Sequence, residues 1–364
     1  MNNAIKLSVI ASALTFAISS ASAAQVYNKD DTTLDIGGYV DAVYWSGHND
    51  LAGDGDQSVS DRMRFGLSGR TKLTDGIYGF GVYQVQNEHG DKKTGSSETV
   101  DTSLRYAYVG VDFGKFGTLE AGRDDNGFYK KIESVTDVFE RLGEEGAQFA
   151  ARNSSKISYE ISYAGFSAAL EYQAAVDSYS AVDFTGDVNN GYNAALGYTS
   201  PDVLFGPIGI QVAYNYLNFQ DTKSFDKGDK DEDDKPIYYN ADDSKTFGVA
   251  LTWGNYGDGL YLASFYEQSK IAYNTVGQDD DKIKSSETAV SYGFANGIVV
   301  QAEYTWKDYV GYDDVSSISR KSTVFVGYNA SENFFVWADC NFDAGSSDDV
   351  NDDTKYTVGA RFVF

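Results

Sequence analysis

Apolar and polar residues alternate with a period of two in many segments of the chain. In residues 208–216 every second position is apolar or aromatic: Ile208, Ile210, Val212, Tyr214 and Tyr216. Residues 157–163 and 356–364 show the same alternation. Because successive side chains of a β-strand point to opposite faces, the pattern predicts strands with one apolar face. A soluble β-sandwich gives the same alternation, so this pattern alone leaves the fold class open.

The connections between these segments alternate between long and short. Long, polar and mostly acidic stretches lie at 46–60, 87–102, 124–151, 173–190, 218–244, 268–286, 307–320 and 343–354. Short turns lie between them at 74–76, 114–117, 164–165, 199–207, 254–259, 295–297 and 329–333. Eight long and seven short connections join sixteen strands.

This layout is typical of an outer-membrane β-barrel, which has long loops at one end, short turns at the other and an even number of strands. A β-sandwich gives no reason to separate loop lengths in this way. We therefore predict an all-β protein, a 16-stranded antiparallel transmembrane β-barrel with long extracellular loops and short periplasmic turns. Pro201, Pro207 and Pro236 are all expected in connections, because proline cannot donate a hydrogen bond to a sheet.

The first 23 residues have the features of a secretory signal peptide. Lys6 precedes a mostly apolar run at 7–18, and Ala21-Ser22-Ala23 matches the small-residue cleavage site. We predict a signal peptide at 1–23 and a single barrel domain at 24–364. A membrane-spanning helix needs about 20 apolar residues, and the sequence has no such run, so we expect strands to cross the membrane.

The composition supports this prediction and limits the partners. The chain has 28 Tyr, 22 Phe and 37 Gly but only 3 Pro, which favours all-β structure. Its net charge of −25 would repel phosphate, so nucleic acid is excluded as a partner. Divalent cations are more plausible partners. They would bridge the acidic loops to the phosphates of lipopolysaccharide, unless the loops serve only solubility.

Nothing in the sequence indicates catalysis, a cofactor or a metal site. His48 and His89 lie in or beside long polar loops, where an exposed role is expected. The acidic run at 229–233 resembles the start of a calcium loop but lacks the required turn glycine. Cys340 is the single cysteine, so no internal disulfide is possible. We therefore expect a protein that is not an enzyme.

Five segments resemble the Gram-negative general porin family, and the resemblance covers nearly the whole chain. They are 24–30 (Ala-Gln-Val-Tyr-Asn-Lys-Asp), 63–69 (Met-Arg-Phe-Gly-Leu-Ser-Gly), 104–110 (Leu-Arg-Tyr-Ala-Tyr-Val-Gly), 121–123 (Ala-Gly-Arg) and 356–364. The resemblance implies a homotrimer in the Gram-negative outer membrane, with a third extracellular loop that folds inward and narrows the lumen. It also implies that the barrel assembly machinery recognises the terminal Phe364.

The resemblance further implies a constriction in which arginines on the barrel wall face carboxylates on the inward loop. The wall positions carried over to this sequence are Arg64, Arg105 and Arg152, with Arg123 as a fourth. Strand parity gives the same interpretation. Arg105 is expected to share its face with Ala107 and Val109, opposite Tyr106 and Tyr108, and Arg152 lies in phase with polar positions. An arginine facing lipid near the membrane midplane costs about 2–4 kcal/mol, so these side chains are expected to face water.

The loop carboxylates implied by the resemblance are Asp137, Glu140 and Glu144, of which Asp137 aligns best. The family's Pro-Glu-Phe-Gly-Gly turn is replaced here by Glu-Arg-Leu-Gly-Glu at 140–144. This departure leaves open which carboxylate reaches the lumen and suggests that Arg141 pairs with a carboxylate. Two wall positions that are often lysine hold Tyr39 and Ser103, and Asp41 lies in phase with Tyr39. The wall is therefore expected to be less basic than is usual in the family.

Together these features predict a passive pore for ions and small hydrophilic solutes with weak cation selectivity. One alternative is a substrate-specific channel, for instance for a sugar, which requires aromatic side chains along the lumen. The other alternative is a structural or adhesive barrel with a plugged lumen. Saturable solute binding would identify the first alternative, and an absence of conductance would identify the second.

Overall fold

The computed structural model describes residues 23–46, 58–89, 100–143, 145–181, 184–220, 225–230, 236–239, 241–274, 280–310, 315–345 and 354–364. The predicted signal peptide apart from Ala23, the loop residue His48 and the predicted site residue Glu144 lie outside the described residues. In the described part of the chain, no helix is long and apolar enough to span a membrane.

The described residues contain twenty strands. In chain order they are β1 (Ala24–Lys29), β2 (Thr32–Ser46), β3 (Ser58–Thr74), β4 (Ile77–His89), β5 (Val100–Asp112), β6 (Thr118–Asp125), β7 (Arg152–Tyr163), β8 (Phe166–Gln173), β9 (Val176–Ala181), β10 (Phe184–Val203), β11 (Gly206–Phe219), β12 (Phe225–Lys230), β13 (Pro236–Tyr239), β14 (Ala241–Asn255), β15 (Asp258–Tyr273), β16 (Asp281–Gly293), β17 (Ile298–Val310), β18 (Val315–Ser331), β19 (Phe334–Asp343) and β20 (Lys355–Val363).

Sixteen of these strands, all except β1, β9, β12 and β13, form a closed antiparallel barrel. Each wall strand pairs with the next, and β20 closes the circuit by pairing with β2 from Tyr39↔Val363 to Ser46↔Tyr356. The predicted 16-stranded barrel is confirmed. Closure leaves no unpaired edge along the wall, which a sheet requires in order to cross a bilayer.

The outer face of the barrel carries the apolar residues of the alternating segments. Val109 (65% exposed), Ile157 (50%) and Leu196 (62%) are examples of large apolar side chains that face outward. The opposite face of the same strands carries small and polar side chains such as Ser158 and Asn193, both of which are buried. The alternation therefore marks a face for lipid, and the polar set faces the lumen.

The strands extend further into the long connections than the apolar pattern predicts. The connection predicted at 268–286, for example, is reduced to residues 274–280, because β15 continues to Tyr273 and β16 begins at Asp281. Backbone pairing continues here through polar residues, as in Lys270↔Lys282. Hydropathy marks only the part of a strand that meets lipid, whereas the backbone groups stay paired beyond it.

The prediction that every proline lies in a connection is wrong for Pro201 and Pro207, which lie in wall strands, whereas Pro236 begins β13, a short strand outside the wall. Pro201 lies within β10, and Pro207 is the second residue of β11, where it pairs with Asp202. The register of this hairpin shifts between Thr199 and Asp202. At this bulge, next to the turn at 204–205, the strand tolerates a residue that lacks an N–H group.

The connection between β6 and β7, residues 126–151, folds into the barrel and is called loop 3 here. It begins with the short helix α1 (Gly127–Lys131), because the Asn126 side chain accepts hydrogen bonds from the N–H groups of Phe128 (2.8 Å) and Tyr129 (3.4 Å). Wall side chains hold the following segment. Tyr261 Oη donates to Val135 O at 2.9 Å. The predicted inward fold of the third loop is confirmed.

Loop 3 covers one side of the lumen through an apolar contact. Phe128 and Ile132, both 0% exposed, pack with Phe149 against small inward-facing residues of the wall such as Ala213. Gly248 makes this close approach possible, because a Cβ atom there would lie only 2.5 Å from the Phe128 ring. Part of the lumen wall is thus a packing surface for the loop, and a polar cavity remains beside the loop.

Candidate pore constriction

The remaining space beside loop 3 includes a cavity of about 360 Å³ between the loop and the wall. Its charged lining consists of six arginines and two carboxylates: Arg62, Arg64, Arg105, Arg141, Arg152, Arg361, Asp137 and Glu140. Five of the seven predicted site residues are among them. Arg123 is not, and Glu144 lies outside the described residues.

Arg64 and Arg105 contact amide groups of the wall. Arg64 Nε donates to Gln86 Oε1 at 2.7 Å. Arg105 Nε donates to Gln84 Oε1 at 2.9 Å, and its Nη1 donates to Gln86 Oε1 at 3.4 Å. Neither guanidinium group has an ion-pair partner among the residues that the structure describes. Both therefore present largely uncompensated positive charge to the cavity.

The strand parity predicted around Arg105 is wrong. Tyr106, which was expected on the opposite face, lines the same cavity, and Val109, expected on the face of Arg105, is exposed on the outside. The reason is a bulge: Gln84 pairs with Tyr106 and Val85 with Leu104, so Arg105 is the extra residue of its strand. A bulge places two consecutive side chains on one face and reverses the parity beyond it.

Arg152 lies next to an aromatic and an acidic side chain. Its guanidinium carbon is 5.6 Å from the centre of the Tyr106 ring, and its Nη1 is 3.8 Å from Asp125 Oδ1. Tyr106 Oη donates to the same Asp125 oxygen at 2.7 Å. The charge of Arg152 is thus partly balanced, in contrast to that of Arg64 and Arg105.

Arg123 is bonded within the wall. Its Nε donates to the carbonyl of Leu104 at 2.8 Å, and its Nη1 donates to Ser154 Oγ at 3.1 Å. Pairing between β6 and β7 shifts register just beside it, between Gly122 and Asp124. A position next to such a shift no longer follows the simple alternation, and here the guanidinium is used to satisfy wall groups.

The two loop carboxylates of the cavity have different partners. Asp137 accepts a hydrogen bond from the Tyr129 hydroxyl of the same loop. Glu140 forms an ion pair with Arg361 of β20, at 2.5 Å between Oε2 and Nη2. Asp137 therefore has no ion-pair partner among the described residues, whereas Glu140 is paired with an arginine of the wall.

A second group of charges, which sequence reasoning largely missed, surrounds Asp41. Its side chain is 0% exposed and contacts three guanidinium groups: Arg62 at 2.7 Å, Arg361 at 3.0 Å and Arg141 of loop 3 at 3.2 Å. The Tyr39 ring lies 4.3 Å from the Arg361 guanidinium carbon. The alternation along the strand indicated that Asp41 shares a face with Tyr39. Its contact with Arg361 could not be read in the same way, because the two residues are 320 positions apart in the chain.

Charged groups also fix the beginning of loop 3. Lys130 Nζ lies 2.8 Å from Glu160 and 3.4 Å from Asp124, and Lys131 Nζ lies 2.9 Å from Glu160. Burial lowers the pKa of Lys130, but the carboxylates of Asp124 and Glu160 outweigh burial and raise that pKa well above its ordinary value. Lys130 is therefore charged, and the ion pairs of Lys130 and Lys131 hold α1 against the wall.

Further along loop 3, Glu133 is 2% exposed. Its Oε1 accepts hydrogen bonds from the N–H groups of Gln148 (2.7 Å) and Phe149 (3.1 Å), so it joins the outgoing and returning halves of the loop. Burial raises the pKa of Glu133 to about 8 despite these bonds.

Within the described residues, no group of three or more His, Cys, Asp or Glu side chains is arranged to hold a metal ion.

Comparison with known proteins gives a consistent result. The family described as Gram-negative porin matches residues 29–364. Outer membrane porin PhoE of Klebsiella oxytoca is 25% identical over 363 residues, which cover 96% of each chain. Outer membrane porin C of Serratia marcescens is 28% identical over 317 residues, which cover 81% of this chain and 76% of the relative.

Solved structures are similar in fold. OmpF of Salmonella typhi, determined in complex with daunomycin, superposes with a TM-score of 0.74 at 19% identity and covers 94% of this chain and 100% of its own. An anion-selective porin from Comamonas acidovorans superposes with a TM-score of 0.61 at 19% identity and covers 92% of this chain and 100% of its own.

Proposed function

The chain belongs to the Gram-negative porin family of the outer membrane, and on that basis we propose that it forms a water-filled pore for passive diffusion of ions and small hydrophilic solutes. The cavity between loop 3 and the arginine-rich wall is the observation that supports this function most directly. A narrow, charged passage in a low-dielectric wall sorts solutes by size and by charge, and requires no chemical step.

We propose that ion selectivity results from two opposing zones. The net charge of −25 and the acidic connections favour cations at the mouth of the pore. The excess of arginines over carboxylates in the cavity favours anions. Charges more than about 8 Å from an ion are largely screened at physiological salt, whereas a narrow site is screened less. Weak cation selectivity is therefore expected at low salt, and it should decrease as salt is raised.

The aromatic residues of the cavity argue against a sugar-specific channel. Arg62, Arg64 and Arg361 all lie within 5.3 Å of the Tyr39 ring centre. Arg105 lies 5.8 Å from the Tyr106 ring centre. Cations occupy positions over these rings, so the rings offer little free apolar surface on which a sugar could stack. A diffusion pore without a dedicated solute site fits this arrangement better.

The same family membership supports several further proposals about maturation and assembly. Residues 1–23 are removed as a signal peptide, and the mature barrels associate as homotrimers. The terminal Phe364 is recognised during barrel assembly; its N–H donates to Gly38 O at 2.9 Å and its carbonyl accepts from Gly38 N at 3.0 Å, so it completes the closing seam. The acidic loops either contact lipopolysaccharide phosphates through divalent cations or serve only solubility.

Planar-bilayer recording tests the proposed function. Purified protein should give stepwise, ohmic conductance that neutral sugars reduce only by displacing electrolyte. Its zero-current potential in a salt gradient should indicate weak cation preference, decreasing in concentrated salt. An absence of conductance would support the adhesive alternative, and saturable block by one sugar would support a substrate-specific channel.

A further inference from the structure

The tip of loop 3, residues 139–143, is docked on the wall by an apolar contact. The Phe139 ring meets the Phe325 ring edge-on, with 6.2 Å between their centres. Phe139 and Leu142 also pack against a buried wall cluster that includes Trp45 and Trp337. Apolar contact of this kind has little directionality, so it does not by itself fix the position of a short irregular segment.

Arg141 adds directional contacts at the centre of this tip. Its Nη1 lies 2.9 Å from Glu88 Oε1 on β4, and its Nη2 lies 3.2 Å from Asp41 Oδ1 on β2. Its guanidinium carbon lies 5.6 Å from the Trp45 ring centre, and its side chain is 7% exposed. One loop residue thus joins two strands that are not adjacent in the wall.

The two carboxylates depend on Arg141 to different extents. Asp41 also contacts Arg62 and Arg361, so it remains neutralised without the loop. Glu88 has Arg141 as its ion-pair partner in the described part of the chain, and its other contact is a hydrogen bond from Gln86 Nε2 at 3.1 Å. Glu88 is 27% exposed in its side chain, so without Arg141 its charge would face the lumen.

We propose that Arg141 is a positioning and specificity-determining residue of the pore. It holds the tip of loop 3 against the wall at Asp41 and Glu88, and it hides the negative charge of Glu88 from permeating ions. This inference rests on the proposed pore function. Because Glu88 can be neutralised without restoring the contacts of Arg141, loss of position and loss of charge masking can be separated by mutation.

The central variant is Arg141→Gln, which removes the positive charge and both ion pairs. A newly exposed unit charge about 8 Å from the ion path acts with opposite sign on cations and anions, so it changes their permeability ratio by roughly sixfold in water before salt screening. We expect the zero-current potential to shift in the direction of cation preference, by the amount that corresponds to this change in the permeability ratio. Released from the wall, the tip should also produce more open-channel current noise.

The matched control is Arg70→Gln, which removes the same charge and one wall ion pair, at 2.8 Å to Asp112, near the short-turn end of β3 and outside the cavity. It should leave the noise unchanged and shift the zero-current potential less. The double variant Arg141→Gln with Glu88→Gln should regain the parental selectivity but stay noisy, because only the exposed charge has been removed.

Arg141→Lys, which keeps the charge but cannot contact two carboxylates in a fixed fork, should retain selectivity with intermediate noise. Oligomers that dissociate on heating would show that each variant is folded. If Arg141→Gln matches Arg70→Gln in both potential and noise, or if Glu88→Gln does not reverse the shift, the proposal is wrong. A parental protein that does not conduct would instead refute the proposed function.

Discussion

Replacing Arg105 by glutamine tests the electrostatics of the cavity most directly. Arg105 donates to Gln84 and Gln86 and has no ion-pair partner among the described residues, so its charge acts on ions in the cavity. The variant keeps a polar side chain and removes one positive charge. The zero-current potential in a salt gradient should therefore move toward cations.

The size of the shift follows from Coulomb's law. At roughly 8 Å from the ion path, a unit charge contributes about 0.5 kcal/mol in bulk water and about 2 kcal/mol at an effective dielectric constant of about 20. Because the charge acts with opposite sign on cations and anions, their permeability ratio should change by twice this energy. That is a factor of about 6 in bulk water and about 1,000 at the lower dielectric constant, and the lower value is expected for a well-hydrated pore.

The assay is the zero-current potential of single channels at several mean salt concentrations, with Arg70→Gln as the charge-matched control outside the cavity. The shift should shrink as salt rises, because the Debye length falls from about 10 Å at 0.1 M to about 3 Å at 1 M. A shift of equal size in the control, or a shift toward anions in Arg105→Gln, would refute the assignment of Arg105 to the constriction.

Four further predictions concern the loop and the assembly of the barrel. Asp137→Asn should move the zero-current potential toward anions, opposite to Arg105→Gln, and an unchanged potential would show that ions do not pass this carboxylate. Because the pKa of Glu133 is raised to about 8, the docked loop binds a proton that an exposed carboxyl would lose, so docking should weaken as pH rises from the ordinary carboxyl pKa to about 8 and should change no further above it. Channel noise should increase over that range, and Glu133→Gln should abolish the increase. Deletion of Phe364 should reduce the amount of barrel in the outer membrane and leave precursor in the periplasm, as fractionation would reveal. Unheated protein should migrate as an oligomer in detergent electrophoresis and boiled protein as a monomer, because a closed barrel loses its strand pairing cooperatively; equal migration would contradict a stable trimer.

The strand order could be predicted because it depends on local and repeated features, whereas the inward fold of the third loop was implied by the family resemblance. Alternation in segments such as 208–216 depends on the outward-facing side of one strand, and turn positions depend on short polar runs. The parity of Arg105 failed because a bulge changes register at a single residue without altering the residue types around it. The extra length of β15 and β16 was missed because paired strands outside the lipid need no apolar face.

The packing of loop 3 could not be predicted for a different reason. Its apolar side chains, Phe128 and Ile132, are ordinary core residues whose partners are small residues of distant strands. In the sequence, Ala213 and Gly248 are small residues that interrupt the polar positions of the lumen face. Only in the structure are they seen to form the surface on which the loop packs. Recognising that surface requires knowing which strands the loop crosses, which is information about topology.

The charges at the tip of loop 3 are matched by charges on the facing wall. The family turn that resembles residues 140–144 has glutamate where this chain has Arg141. A reversed charge inside a barrel is tolerated only if the wall offers carboxylates in place of basic groups. Asp41 and Glu88 supply them, at 3.2 and 2.9 Å, and a wall position that is often lysine in the family holds the uncharged Tyr39. The loop and the wall therefore differ from the family pattern in a matched way. Exchanging the charges in Arg141→Glu with Glu88→Arg should restore quiet conductance better than either single change. If the double variant is as noisy as Arg141→Glu alone, the contact between these two residues does not position the tip.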